Sequence, residues 1–352
     1  MNKFNYVFKD RDFILTKDNF FFCIIGYDHP RDRAIAYLKY APAEKGKWNL
    51  KNIPLKRMIP HYSATSVENT YKFLEKYPVY IYNDELNNIK ITAVPKSLIK
   101  NYYETRKKLQ NILNKDNIDN LQQKLIELAQ FLSDHSGIAL ENMGVTGSIL
   151  IDIHNPSFSD IDMTIHGLKN SKKIEKLLIE EFSRKGRIAK FKNNKELMEW
   201  VSRKSSQFKF EKKIAEKLVS RQWNFGYFDD TRFSIHPIKQ DKKIINNYGN
   251  ERITPLGLLK IRGVILNSDE SYFLPAIYEL TDVEILEGNN VEEIKLIISY
   301  EGLYRNIAHK DEIIEAFGKL EKVYEFNSSK SYYRLLIGSF EAQSMDYIIP
   351  IS

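Results

Sequence analysis

Residues 142–167, NMGVTGSILIDIHNPSFSDIDMTIHG, decide how this chain is read. A short apolar run leads into Gly147 and Ser148. A glycine-serine turn there exposes backbone N–H groups and a hydroxyl at a helix start, a setting that holds phosphate oxygens well. Thr146 is placed to orient that turn. After eleven more residues, SDIDMTI sets Asp160 and Asp162 one position apart on a strand. Side chains alternate along a strand, so both carboxylates face one way and Ile161 turns into the core. Paired carboxylates at a strand edge are hard oxygen ligands for a divalent cation, Mg2+ or Mn2+, whose shell substrate phosphates complete. The expected site therefore has Asp160 and Asp162 as metal ligands and catalytic residues. Gly147 and Ser148 cradle the triphosphate of an NTP.

Outward from this stretch, the flanking patterns predict an α+β protein in three parts. From 12 to 40, short apolar runs alternate with turn signals (RDFILTKDN, FFFCIIGY, DHPRDR, AIAYLKYA), which predicts an antiparallel meander. A helix from about Ser66 follows, then a hairpin of VYIYN and IKITAV that Pro95 ends. Helical periodicity runs through SLIKNYYETRKKLQNIL and again through NIDNLQQKLIELAQFLSDHSG, with Asp119 or Asn117 as cap and Gly137 as stop. Beyond Gly167 come two long basic helices, 170–182 and 193–220, and a hairpin in WNFGYFDDTRFSIHPI. The rest is strand-rich: about five strands with glycines at bends, which fits a small OB-like β-barrel. The expected boundaries are 1–100 for a β-rich domain, 101–245 for the central mixed-sheet domain and 250–352 for the barrel.

Composition narrows the class. With 43% hydrophobic and 12% aromatic residues in 352, the chain can bury a large core, which excludes disorder. Cys23 is the lone cysteine, and the start MNKFNYVFKDRD is too charged for a signal peptide, so a cytoplasmic location is expected. The longest apolar runs are too short for a membrane helix. Net charge is +7, and its source is local: 17 Lys/Arg against 7 Glu and no Asp between Lys169 and Arg221. That segment reads either as solvated helix faces or as a surface for a polyanion. Aromatic and basic residues of the first 65 positions, among them Tyr27, Arg31, Lys39, Tyr40 and Trp48, allow the same pair of readings: core, or a stacking platform for nucleic acid.

Gly-Ser, eleven residues, then Asp-Ile-Asp resembles the nucleotidyltransferase signature of the DNA polymerase β superfamily, whose members include tRNA CCA-adding enzymes and kanamycin nucleotidyltransferases. The match covers about 25 residues. Over nearly its whole length the chain also resembles a group of archaeal proteins known as nucleotidyltransferase-domain proteins, in GYDHPRDRAIAYLKYAP, GVTGSIL, SDIDMTIHG and EIIEAFGKLEKV. The resemblance implies a polymerase-β-like domain that moves a nucleoside monophosphate from an NTP to an acceptor hydroxyl, with RNA or DNA as the expected acceptor.

One departure stands out. Active members carry a third carboxylate on a later strand, and the matching strand here, RFSIHPI, offers Ser234 and His236 at its inward positions. Asp229 and Asp230 are the nearest acids, and FDDT reads as a hairpin turn, which leaves Asp230 a weak candidate for the third carboxylate. Two readings follow: an active nucleotidyltransferase, or an inactive fold that serves as a nucleic-acid-binding or adaptor protein. His154, His166 and His236 are single histidines on or beside strands, a setting more often structural than catalytic.

Overall fold

A computed structural model describes residues 7–59, 70–184 and 186–351. The chain is a mixed α+β protein in which three sheets follow one another. The first holds eight strands: β1 (Phe13–Thr16), β2 (Phe21–Ile24), β3 (Arg33–Pro42), β4 (Trp48–Leu50), β5 (Ile53–Arg57), β6 (Ile81–Asp84), β7 (Ile89–Pro95) and β8 (Ile99–Tyr103). The meander β1-β2-β3 forms where the turn signals put it; Asn19, at φ +60°, makes the first turn. The hairpin β6-β7 is also in place, with Pro95 as its last residue. The expected start of a helix at Ser66 lies outside the described residues, and residues 70–74 are helical.

The central sheet has the order β11-β12-β13-β10-β9, built from β9 (Met143–Thr146), β10 (Ile161–His166), β11 (Ile188–Ala189), β12 (Phe225–Phe228) and β13 (Thr231–Ile238). Strands β10 and β13 run parallel and the other pairs antiparallel. Helices Asn120–Ser136 and Leu168–Phe182 cover one face, burying Leu125, Leu128, Ile174 and Leu178 against Val145, Ile161 and Met163. Each such side chain, fully buried, contributes roughly 1.5–3 kcal/mol. The first of these helices begins as its sequence predicts. Asp119 accepts from the Leu121 and Gln122 amides in a capping box, and Gly137 ends it at φ +66°.

The third sheet contains β14 (Glu251–Asn267), β15 (Ala276–Glu287), β16 (Ile294–Ser299), β17 (Ile313–Glu325), β18 (Lys330–Ile337) and β19 (Tyr347–Pro350). Strand β14 pairs with both β15 and β17, so the pairings close a ring β14-β15-β16-β18-β17, with β16 and β18 parallel. The long β14 bends at Gly257, at φ +94°, where its register to β17 shifts.

Two expectations need correction. Helical periodicity through SLIKNYYETRKKLQNIL covers a strand first: Ile99–Tyr103 pairs with β1, and the helix spans only Thr105–Leu113. The β-branched and aromatic residues Ile99, Tyr102 and Tyr103 pack into the first domain's cores, and this tertiary burial outweighs the local pattern. The second basic helix is two, Asn194–Phe208 and Lys212–Arg221, broken at Lys209 in the left-handed region at φ +52°. The break lets Phe208 and Phe210 stack, while the Ser205 hydroxyl donates to the Phe210 carbonyl at 2.5 Å.

The three parts interlock. Trp200, Phe208, Leu218 and Val219 of the paired helices belong to the barrel's core, with Leu259, Tyr278 and Tyr304. Leu150, Ile151 and Ile153, just after the glycine-serine turn, bury against Phe13, Cys23 and Tyr37 of the first sheet. Asn246, leading into the barrel, accepts from the His29 amide at 3.0 Å and donates to its carbonyl at 2.8 Å. A cleft of about 1520 Å³ opens between the parts and takes lining residues from all three. No helix among the described residues is long and apolar enough to cross a membrane.

Candidate active site

Strand β9 delivers the chain to Gly147, which adopts φ +69°. Glycine is required there twice over: the conformation disfavours a side chain, and a Cβ would sit 2.3 Å from Asp162 Oδ2. The turn therefore rests directly on the carboxylate. Thr146 pairs with Asp162 across the sheet, and its hydroxyl donates to the Arg11 carbonyl at 2.7 Å, which ties the turn to the first domain. Ser148 follows, mostly buried, and lines the cleft.

Asp160 and Asp162 flank Ile161, which is wholly buried in the central core, and both carboxylates line the cleft. All four residues picked from the sequence thus meet at one place. Their electrostatics differ. The charge of Asp162 raises the Asp160 pKa, burial adds to the rise, and Lys39 and Arg232 pull it back. Burial pushes the Asp162 carboxyl up as well, but His236, Lys39 and Ser234 together hold it below the usual carboxylate range. Asp162 is the resident anion and Asp160 carries the strain of the pair.

The position expected for a third acid holds Ser234, in register with Asp162 across the parallel pair. Its hydroxyl donates to Asp162 Oδ1 at 2.5 Å. His236 Nε2 lies 2.9 Å from Ser234 Oγ and 3.7 Å from Asp162 Oδ1. Arg305 Nη2 approaches His236 Nδ1 at 3.4 Å. An arginine only donates, so Nδ1 accepts, Nε2 carries the ring proton toward Ser234, and the serine proton points at Asp162. Burial, reinforced by the nearby Arg11 charge, lowers the His236 pKa to about 3, so the ring is neutral.

Asp230 lines the same cleft but not the Ser234 position. It sits in the turn between β12 and β13, almost fully exposed, 3.4 Å from Lys192. Four residues of strand, roughly 13 Å, separate it from Ser234. Asp229, at φ +49°, is paired with Arg187 at 2.7 Å and Lys124 at 3.0 Å. His154 binds the cap carboxylate of Asp119 at 2.7 Å, and His166 is buried against Thr105 and Thr164. Both are structural. Of the basic segment's described residues, only those of the helix Asn194–Phe208 line the cleft, through Trp200, Arg203, Lys204 and Phe208. From the first domain, Tyr27, Lys39, Tyr40 and Trp48 line it too, and Trp48 meets Phe158 edge-on at 5.9 Å.

Sequence reasoning passed over His236, because an isolated strand histidine is usually structural. Its spacing from Ser234 was the available signal. Arg11 and Arg305 carried none, and Lys39 stood out only as part of a basic-aromatic surface, since only folding brings them to Asp162.

Among the described residues, no group of three or more His, Cys, Asp or Glu side chains is arranged to hold a metal ion. The donor set nonetheless suits a hard divalent cation bound in part by its substrate: two neighbouring carboxylates whose mutual repulsion a cation would relieve.

The fold and this carboxylate edge define a three-part α+β protein with a cleft built around paired acids. No family model matches the chain, and no solved structure matches it. It is 30% identical over 351 residues to the uncharacterized protein MJ1086 of Methanocaldococcus jannaschii, across 96% of this chain and 97% of that one. The chain belongs to the family of that archaeal protein.

Proposed function

We propose that the chain is a cytoplasmic, metal-dependent nucleotidyltransferase of the DNA polymerase β type that moves a nucleoside monophosphate from an NTP to an acceptor hydroxyl of RNA or DNA. The observation that carries this reading is the contact of Asp162 with the Gly147 turn, with Asp160 beside it on the wall of the cleft. Phosphate groups seated on that turn lie next to the acids by construction.

In the reaction the acceptor oxygen forms a bond to the α-phosphorus and gives up its proton to solvent, the bond from that phosphorus to the bridging oxygen breaks, and pyrophosphate leaves. Asp160 and Asp162 would hold Mg2+ or Mn2+, which supplies charge neutralisation to the phosphates. Gly147 and Ser148 seat the phosphate chain. Lys39 and Arg232, near enough to bias Asp160, oppose the charge that develops on the transferred group. Ser234 keeps Asp162 ionised, and His236 and Arg305 fix which way the serine proton points.

The ring of five strands, with its one parallel pair, supports reading this part as OB-like, a fold that often binds oligonucleotides through one face. With Trp200, Arg203 and Lys204 of the helix packed against it also lining the cleft, it favours a nucleic-acid acceptor. Such binding is expected to weaken steeply with added salt, and a flat response would assign a different acceptor. The deciding experiment incubates the protein with each labelled NTP, Mg2+ or Mn2+, and mixed RNA or DNA, beside the double variant Asp160→Ala, Asp162→Ala. Label should move only with the unaltered protein; transfer that survives the double substitution overturns the assignment.

A second reading, an inactive fold acting as a nucleic-acid-binding or adaptor protein, has one observation in its favour: a serine stands where the third acid is expected, and it already occupies Asp162 Oδ1. Nucleic-acid binding with no label transfer to any acceptor selects it.

A further inference from the structure

Two arginines of the barrel line the cleft, and they are treated differently. Arg334 is paired: its Nε donates to Glu321 Oε2 at 2.8 Å, and its Nη1 lies 3.7 Å from Glu251. Arg305, just past the short 3-10 turn Gly302–Tyr304, is 8% exposed and has no carboxylate within ion-pair distance among the described residues. Its Nη2 reaches only the His236 ring at 3.4 Å, while Nε and Nη1 have no hydrogen-bond partner. Burial and the nearby Arg11 charge lower the Arg305 pKa to about 10, against the pull of the buried Asp10 carboxyl, which pairs with Arg11 at 3.4 Å; Arg305 stays protonated at neutral pH.

A guanidinium carries five donors and no acceptor. Buried with two nitrogens that find no acceptor among the described residues, it costs stability that packing elsewhere must offset. An anion presenting several oxygens relieves this by accepting the orphaned N–H groups. The place also fits such an anion, since His236 and Ser234 lead from Arg305 straight to Asp162 and the glycine-serine turn.

We propose that Arg305 binds the terminal diphosphate of a nucleoside triphosphate, so that the barrel completes a site otherwise formed by the central domain. The identity of the ligand as an NTP tail rests on the function proposed above; the anion site itself does not. Arg305 in this role makes bidentate contact with phosphate oxygens, for which its planar fork is suited.

The test uses the full chain and inorganic pyrophosphate as probe, with binding read by calorimetry without any transfer assay. Arg305→Gln is expected to weaken pyrophosphate binding at least about tenfold, as befits loss of hydrogen bonds to a charged group. Lys310→Gln, an exposed site with the same change in charge, is expected to leave it unchanged. An NTP should displace pyrophosphate, and an oligonucleotide without terminal phosphates should not. If Arg305→Gln fails to fold, Arg305→Lys takes its place, with an expected loss of about threefold from the missing fork. Failure of the unaltered protein to bind pyrophosphate, equal binding by the Arg305 variant, or an Arg305-dependent oligonucleotide site that ignores pyrophosphate each overturns the proposal. Arg305-dependent pyrophosphate binding without label transfer would leave this site standing and remove the transferase reaction; transfer with Arg305-independent pyrophosphate binding would do the reverse.

Discussion

Asp160 and Asp162 share the central sheet with Asp229 and Asp230, and the two pairs are compensated in opposite ways. The turn pair has its charges met: Arg187 and Lys124 grip Asp229, and Lys192 approaches Asp230 in open solvent. The strand-edge pair is met only in part, by the Ser234 hydroxyl and by basic groups at longer range. No lysine or arginine lies within ion-pair distance of either acid among the described residues, and the charge of Asp162 is the largest influence raising the pKa of Asp160. Matched charges hold a hairpin in place at little cost. A carboxylate whose pKa is raised by its neighbour on the wall of a cleft is a candidate functional group, which fits the strand edge as the proposed site and the turn as a fastening.

The largest expected effect breaks that comparison directly. If the proposed reaction holds, Asp160→Ala with Asp162→Ala lowers nucleotide transfer by about a thousandfold or more. Asp229→Ala with Asp230→Ala, an equal loss of charge, leaves it within about twofold. Equal losses from both doubles would dissolve the distinction. Next comes Gly147→Ala. Strain at positive φ and the meeting with Asp162 Oδ2 should cost about 1–3 kcal/mol of stability by chemical denaturation, and transfer should fall with it. Gly137→Ala is the companion, at nearly the same φ with nothing within 4 Å of the added Cβ, and is expected to cost about 1 kcal/mol with activity intact. Ser234→Ala removes the donor on Asp162 and, as an outer-shell change, should raise the Mg2+ concentration needed for half-maximal transfer about tenfold. An unchanged Mg2+ requirement would mean that the serine does not tune the acid.

Much of this contrast was legible beforehand, and the reasons are local. The alternation around Ile161, the glycine demanded by a tight turn, the Asp119 cap and the FDDT hairpin each need only a few neighbouring residues to be specified. What escaped depends on distant chain. Ile99–Tyr103 became a strand because β1 needed a partner. The basic segment split at Lys209 because Phe208 had a barrel core to enter. Arg11 and Lys39 reach the site from the first sheet's part of the chain and Arg305 from the last part, and no spacing in the sequence announces that convergence.

The smallest effects are in acid titration, and they carry opposite signs. Asp160 has a folded pKa raised above its unfolded value of about 3.8, so its protonated form favours folding. That contribution is complete below pH about 4 and is lost as pH rises through the raised folded value, which leaves a repulsive pair at neutrality. Asp160→Asn should therefore melt a few degrees higher than the unaltered protein at pH 7, with the gap closing as pH falls toward 4. Asp229 is the mirror case: the Arg187 hydrogen bonds first, and Lys124 after them, lower its pKa to about 2 against the cost of burial. Its contribution is present above pH about 4 and is lost as pH falls toward 2. Because the pair is largely solvent-exposed, Asp229→Asn should lower Tm by under about 2 °C at pH 7, with the deficit shrinking below pH about 4 and vanishing only as pH falls through about 2. Thermal melts of both variants across pH 1.5 to 7 settle the matter. Curves that converge on the unaltered protein from the same side would mean that the two pairs are compensated alike, and the strand edge would lose its claim to be waiting for a cation.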